Sequence, residues 1–99
     1  MTASDLPPIA ERVAAGIALL SSRLAPYRCL DVVDTDRLSF FSVHADVLGQ
    51  IFGEARHGLN ALGLTTAQAV ACGLDCIDGD ELALADEWAR QLDAMRSVA

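Results

Sequence analysis

Val47-Leu48-Gly49-Gln50-Ile51-Phe52-Gly53, followed after four residues by Gly58-Leu59-Asn60-Ala61-Leu62-Gly63-Leu64, is the stretch that decides how this chain folds. Val43, Val47, Ile51, Ala55, Leu59 and Leu62 recur at helical spacing, with Leu48 and Phe52 beside them. The pattern predicts a helix from about residue 45 to residue 62, capped by Ser42 and bent at Gly53 or Gly58. Each glycine inside it costs about 1 kcal/mol relative to alanine. A chain accepts that cost where backbones approach closely or where a helix must stop. Gly49 and Gly53 have the spacing that lets helices touch, so this helix is expected to pack against the first one near Gly16. A homodimer contact is the lesser reading of the same spacing. Gly63 stands where a left-handed terminating residue belongs, and Leu64 can fold back on the last turn.

The first helix reads from Ile9, Val13, Ile17, Leu20 and Leu24, one face of a 3.6-residue repeat. Ser4 or Asp5 can cap it, Pro7-Pro8 suit a first turn, and Pro26 ends it. Gly16 falls within the apolar stripe, which calls for another element lying close against it. Between residues 29 and 42 two readings stay open. Cys29 to Val33 and Leu38 to Ser42 form a short hairpin around Asp34-Thr35-Asp36-Arg37, or the segment is an irregular or single-turn helical connection.

Thr65 and Gln68 have the spacing of a capping box for a short helix, and Gly73-Leu74 repeats the stop signal of Gly63-Leu64. Asp78 and Glu81 make a second such pair, opening a last helix from about Gly79 to Ser97. Its apolar face reads as Leu82, Ala85, Trp88, Ala89, Leu92 and Met95. The expected fold is mainly α: one globular domain over residues 1–99, a bundle of about four helices, with a short hairpin between helices one and two as the open alternative. The expected core is Ile9, Val13, Ile17, Leu20, Val47, Ile51, Leu59, Leu62, Leu82, Trp88 and Leu92.

Composition narrows the function. The chain has 99 residues, 14 acids and 7 bases, for a formal charge of −7, and every base is Arg. The absence of Lys reads first as GC-rich coding. Scattered arginines on an acidic chain argue against a direct phosphate-backbone binder, so no salt-sensitive association with DNA or RNA is expected. The three cysteines, Cys29, Cys72 and Cys76, are an odd number in a chain without a convincing export signal, which predicts buried thiols and a cytoplasmic location. Asp5 and Glu11 precede the apolar run from Val13 to Leu20, where a signal peptide would carry positive charge.

No motif brings catalysis. Asp75, Asp78, Asp80 and Glu81 fail as a calcium loop: with Gly79 as the loop glycine, the first and third ligand positions fall on Leu74 and Cys76, and the closing one on Ala85. Cys72 and Cys76 lack the second pair that a structural zinc site needs, although Cys29, His44 or His57 would be available. Pairing Cys72 with His57, or His44 with Asp46, is not supported by any nucleophile signature. The glycines are spaced wrongly for a phosphate loop. No catalytic, cofactor-binding or metal-ligating residues are assigned, and no cofactor is expected.

Residues 33–40, the run Val47 to Gly53, Gly58-Leu59, Leu62-Gly63-Leu64, Gly73-Leu74-Asp75 and Trp88 together resemble a family of small proteins encoded by actinobacteria and their phages. Those proteins read approximately Ile/Val-Asp-x-Asp-x-Leu, then Cys-Val-Leu-Gly-Gln-Leu-Phe/Tyr-Gly, then Gly-Leu and a late Trp. This chain has Asp46 where they often carry Cys. The resemblance implies a phage or prophage source and no activity. The leading expectation is a non-enzymatic protein-interaction module, an accessory factor of a phage or mobile element that binds a host protein. A second expectation is an acidic inhibitor that mimics nucleic acid, with Asp75, Asp78, Asp80, Glu81, Asp86 and Glu87 as the partner-binding carboxylates. A small metal-binding regulator is the third. Neither a membrane nor direct nucleic acid is an expected partner; a homodimer is an open one.

Overall fold

The computed structural model describes residues 6–23, 31–77 and 79–97, and these form five helices joined by turns. They are α1 (Ile9–Arg23), α2 (Val47–Phe52), α3 (Ala55–Leu62), α4 (Thr66–Ala71) and α5 (Glu81–Ser97). Helix α1 lies against α5 and touches α4, while α2 and α3 pack on each other. Among the described residues no helix is long and apolar enough to cross a membrane. The proposed caps Ser4, Asp5 and Asp78, the stop at Pro26, and Leu24 and Cys29 lie outside the described residues.

Along α1 the expected stripe faces inward. Val13 and Leu20 are fully buried, and Ile9 and Ile17 pack against the core at its margin. Gly16 is the point of closest approach: a Cβ there would lie 2.9 Å from Trp88 Cζ2 and would also collide with the Cys72 carbonyl. The elements pressed against Gly16 are thus α5 and the end of α4, and the glycine tract is not among them. Gly49 instead makes room for its own preceding turn, since a Cβ would fall 2.7 Å from the His44 carbonyl carbon. Gly53 has open space around it.

The single bent helix expected over residues 45–62 is two helices. Gly53 sits at φ +91°, a value that ends helical hydrogen bonding, and the break is held from outside. Ala55 N–H donates to the Val43 carbonyl at 2.9 Å, and His44 Nδ1 lies 2.8 Å from the Gly53 carbonyl oxygen. The cap of α2 is Asp46 and not Ser42: its carboxylate accepts from Gly49 N–H at 2.6 Å. Ser42 serves the turn before it, accepting from His44 N–H. At the break, Gly58 receives Leu48 and Phe52 side chains, so α3 folds back on α2 without a Cβ between them.

No strand occurs among the described residues, and residues 32–46 run as successive turns and bends. A hairpin is unnecessary because a side chain takes the place of a partner strand. Gln50 Oε1 accepts from Asp34 N–H at 2.6 Å, and its Nε2 donates to the carbonyls of Asp34 and Ala45. Asp34 Oδ1 in turn accepts from Asp36 N–H at 3.0 Å, closing a local turn. Val33 and Phe40 still reach the core, as apolar residues of this segment must.

The capping box at Thr65 and Gln68 forms in both directions. The last helix begins at Glu81, later than the expected Gly79, with Asp80 at its head. Its buried face is Leu84, Trp88 and Leu92. Leu82, expected inside, is 69% exposed, and Met95 is exposed too. Six residues before Trp88, Leu82 falls about a third of a turn away from it, whereas Leu84 lies one turn before it. Trp88 sets this face because its indole N–H donates to the Gly73 carbonyl at 2.6 Å.

Candidate functional site

The turn at residues 40–46, the α2–α3 junction and the segment after α4 leave a cleft of about 240 Å³ between them. Its apolar walls come from Phe40, Leu48, Leu59 and Leu74, and Phe41 and Val43 stand at its rim. Phe41 is 69% and Val43 54% exposed. The adjacent Phe40 and Phe41 split between core and surface because the turn places one on each side of the backbone.

Asp46 gives the cleft its chemistry. The residue is 7% exposed, one oxygen is held by the Gly49 N–H, and the other accepts no hydrogen bond among the described residues. Burial pushes the carboxyl up to about 6, against the pull of the Gly49 hydrogen bond; Asp75 adds to the rise and His44 opposes it. Glu54 and Asp75 also line the cleft, and Arg56 is the one cation lining it among the described residues. Arg56 is exposed and makes no ion pair with a described residue.

The carboxylates expected to bind a partner differ in their surroundings, although Asp75, Asp80 and Glu81 all lie near Cys76. Asp75 lines the cleft, with Oδ1 accepting from Cys76 N–H. Asp80 is drawn inward: it pairs with Arg12 at 3.3 Å, and the two side chains are 14% and 6% exposed. Its Oδ1 also accepts from Ile77 N–H. Glu81 accepts from Gly79 N–H, and Glu87 is engaged by Arg90 and Gln91, whose hydrogen bonds hold its carboxyl below the usual range. Asp86 is exposed, and Asp78 lies outside the described residues.

Burial raises the thiol pKa of Cys72 and Cys76, which disfavours the reactive thiolate. Cys76 Sγ lies 3.9 Å from the Phe40 carbonyl oxygen. Among the described residues, no three His, Cys, Asp or Glu side chains gather closely enough to hold a metal ion. Ser42, His44 and Asp46 are near neighbours along one turn, but the contacts of each run to backbone groups and not to one another's side chains.

The sequence reading missed Asp46 as a site residue, although an acid three positions before Gly49 is a legible helix cap. It also missed Arg12, which looks like a solvent-facing base beside an apolar stripe. Compared with known proteins, the chain matches no family model, no curated protein and no solved structure.

Proposed function

We propose that the protein is a non-enzymatic protein-interaction module. The observation that carries this reading is the pairing of exposed Phe41 and Val43 at the rim of a cleft with apolar walls. Apolar groups gathered at a concave site gain most from being covered by another protein, and aromatic residues are enriched where such covering occurs. The resemblance to small actinobacterial and phage proteins adds the context of an accessory factor acting on a host protein. Nucleic-acid mimicry draws on fewer free charges than the sequence offered, because Asp80 and Glu87 are already engaged by Arg12 and Arg90.

Photo-crosslinking tests the module. A benzophenone amino acid is placed at Phe41 in one variant and at Asp86 in another, and each is expressed in an actinobacterial host. A discrete protein adduct from position 41 is the expected result. An adduct from position 86 alone, weakened by salt, would favour the acidic face instead. Absence of any protein adduct from either position would remove the interaction reading.

A further inference from the structure

We propose that the cleft beside Phe41 and Val43 receives one basic side chain of a partner protein, presented by an apolar-flanked segment. The proposal rests on the interaction-module reading and names the chemistry of its partner. Size is the first argument. Pockets that enclose small molecules run to about 300–1,000 Å³. This one, at about 240 Å³, suits a single long side chain.

Charge is the second. Among the described residues, Asp46, Glu54 and Asp75 line the cleft against the single cation Arg56. Arg56 pairs with none of them. Asp46 is more than nine-tenths buried and keeps one oxygen without a hydrogen-bond partner among the described residues. Among the described residues no buried side-chain oxygen lacks a partner, so this second oxygen is open to solvent. A cation brought to it makes a charge-assisted hydrogen bond, roughly twice as strong as a neutral one.

Shape is the third. Arg and Lys carry an apolar stem and a charged tip, and they settle where methylenes meet apolar walls and the tip meets an acid. Phe40, Leu48 and Leu74 supply such walls in the same cleft as Asp46, and exposed Phe41 and Val43 offer contacts to the apolar neighbours of the basic residue.

The test uses the full chain and acetyl-Leu-Arg-Leu-amide as probe, followed by mapping of amide resonances in NMR. The peptide is expected to shift the amides of Gly49 and Asp75. Its counterpart with citrulline, which keeps the shape and loses the charge, should bind about tenfold or more weakly, about 1.4 kcal/mol. Asp46→Asn, which retains a good helix cap, and Asp75→Asn should each weaken the arginine peptide and leave the citrulline peptide unaffected. Phe41→Ala should weaken both. Equal binding of the two peptides, shifts confined to the α5 surface, or no shift at all would overturn the proposal. So would concentration-dependent shifts at the cleft without peptide, which would make a second copy of the chain the occupant. A protein adduct in the crosslinking experiment combined with any of these outcomes would leave the interaction module standing and remove only the cationic cleft.

Discussion

Gly63-Leu64 and Gly73-Leu74 close their helices through the same pair of backbone hydrogen bonds, yet one is a surface stop and the other sits at the centre of the molecule. In the first, Leu64 N–H reaches the Leu59 carbonyl and Gly63 N–H that of Asn60; in the second, Leu74 N–H reaches Ala69 and Gly73 N–H reaches Val70. Both glycines have positive φ, +68° and +65°. A Cβ on Gly63 would meet nothing within 4 Å, whereas one on Gly73 would lie 3.1 Å from the backbone of Arg12 and Val13. The Gly73 carbonyl also holds the Trp88 indole, and Leu74 is buried while Leu64 is only half so. Local hydrogen bonding therefore fixes where each helix ends, and the neighbours fix what that end is worth.

The comparison is tested most severely at Trp88. Trp88→Ala should cost about 3–5 kcal/mol in urea unfolding followed by circular dichroism, because it empties the space beside Gly16 and strands the Gly73 carbonyl. Trp88→Phe should lose less, about 1–3 kcal/mol, chiefly for the unsatisfied carbonyl. An effect under half a kcal/mol from both would mean that the second stop is as peripheral as the first.

The ion pair at the Arg12 end of the same contact comes next. Asp80→Ala leaves the Arg12 guanidinium buried without its carboxylate and the Ile77 N–H without its acceptor, so a loss of about 3 kcal/mol is expected in the same measurement. Arg12→Ala and the double variant complete a cycle, and strict additivity would deny the coupling.

Alanine at the two glycines measures the contrast directly. Gly63→Ala should cost about 1–2 kcal/mol, the strain of a left-handed residue with a Cβ. Gly73→Ala should cost that amount and about 1–3 kcal/mol more, from overpacking against α1. Equal melting temperatures for the two variants would break the comparison.

The smallest effect lies in the α2 cap, and it depends on pH. Asp46 is raised to about 6 from an ordinary 3.8, so the folded chain keeps a proton that the unfolded chain releases between those values. Stability should fall as pH rises through that window and stay lower above it. With screening by the water that reaches the cleft, the loss is about 1 kcal/mol. Asp46→Asn should lose no stability across the same window, and an unchanged pH profile in that variant would show that another group titrates.

The sequence by itself determined that the chain is mainly helical and where several helix ends fall. Periodicity placed α1 and the buried positions Val13, Leu20, Val47, Leu62, Trp88 and Leu92, and local chemistry announced the Thr65–Gln68 box and both glycine stops. These features are legible because they arise among residues a few positions apart, through hydrogen bonds and side-chain spacing that any isolated segment would share. Only the tertiary structure decided the rest. It broke the long central helix at Gly53, where Val43 and His44 hold the ends apart, and replaced a hairpin with the side chain of Gln50. It rotated the buried face of α5 from Leu82 to Leu84 around the Trp88 hydrogen bond, drew Arg12 and Asp80 inward together, and set Asp46 beside Asp75 in one cleft. Each of those outcomes depends on groups distant in the chain whose burial and charge act on one another only after the helices have packed.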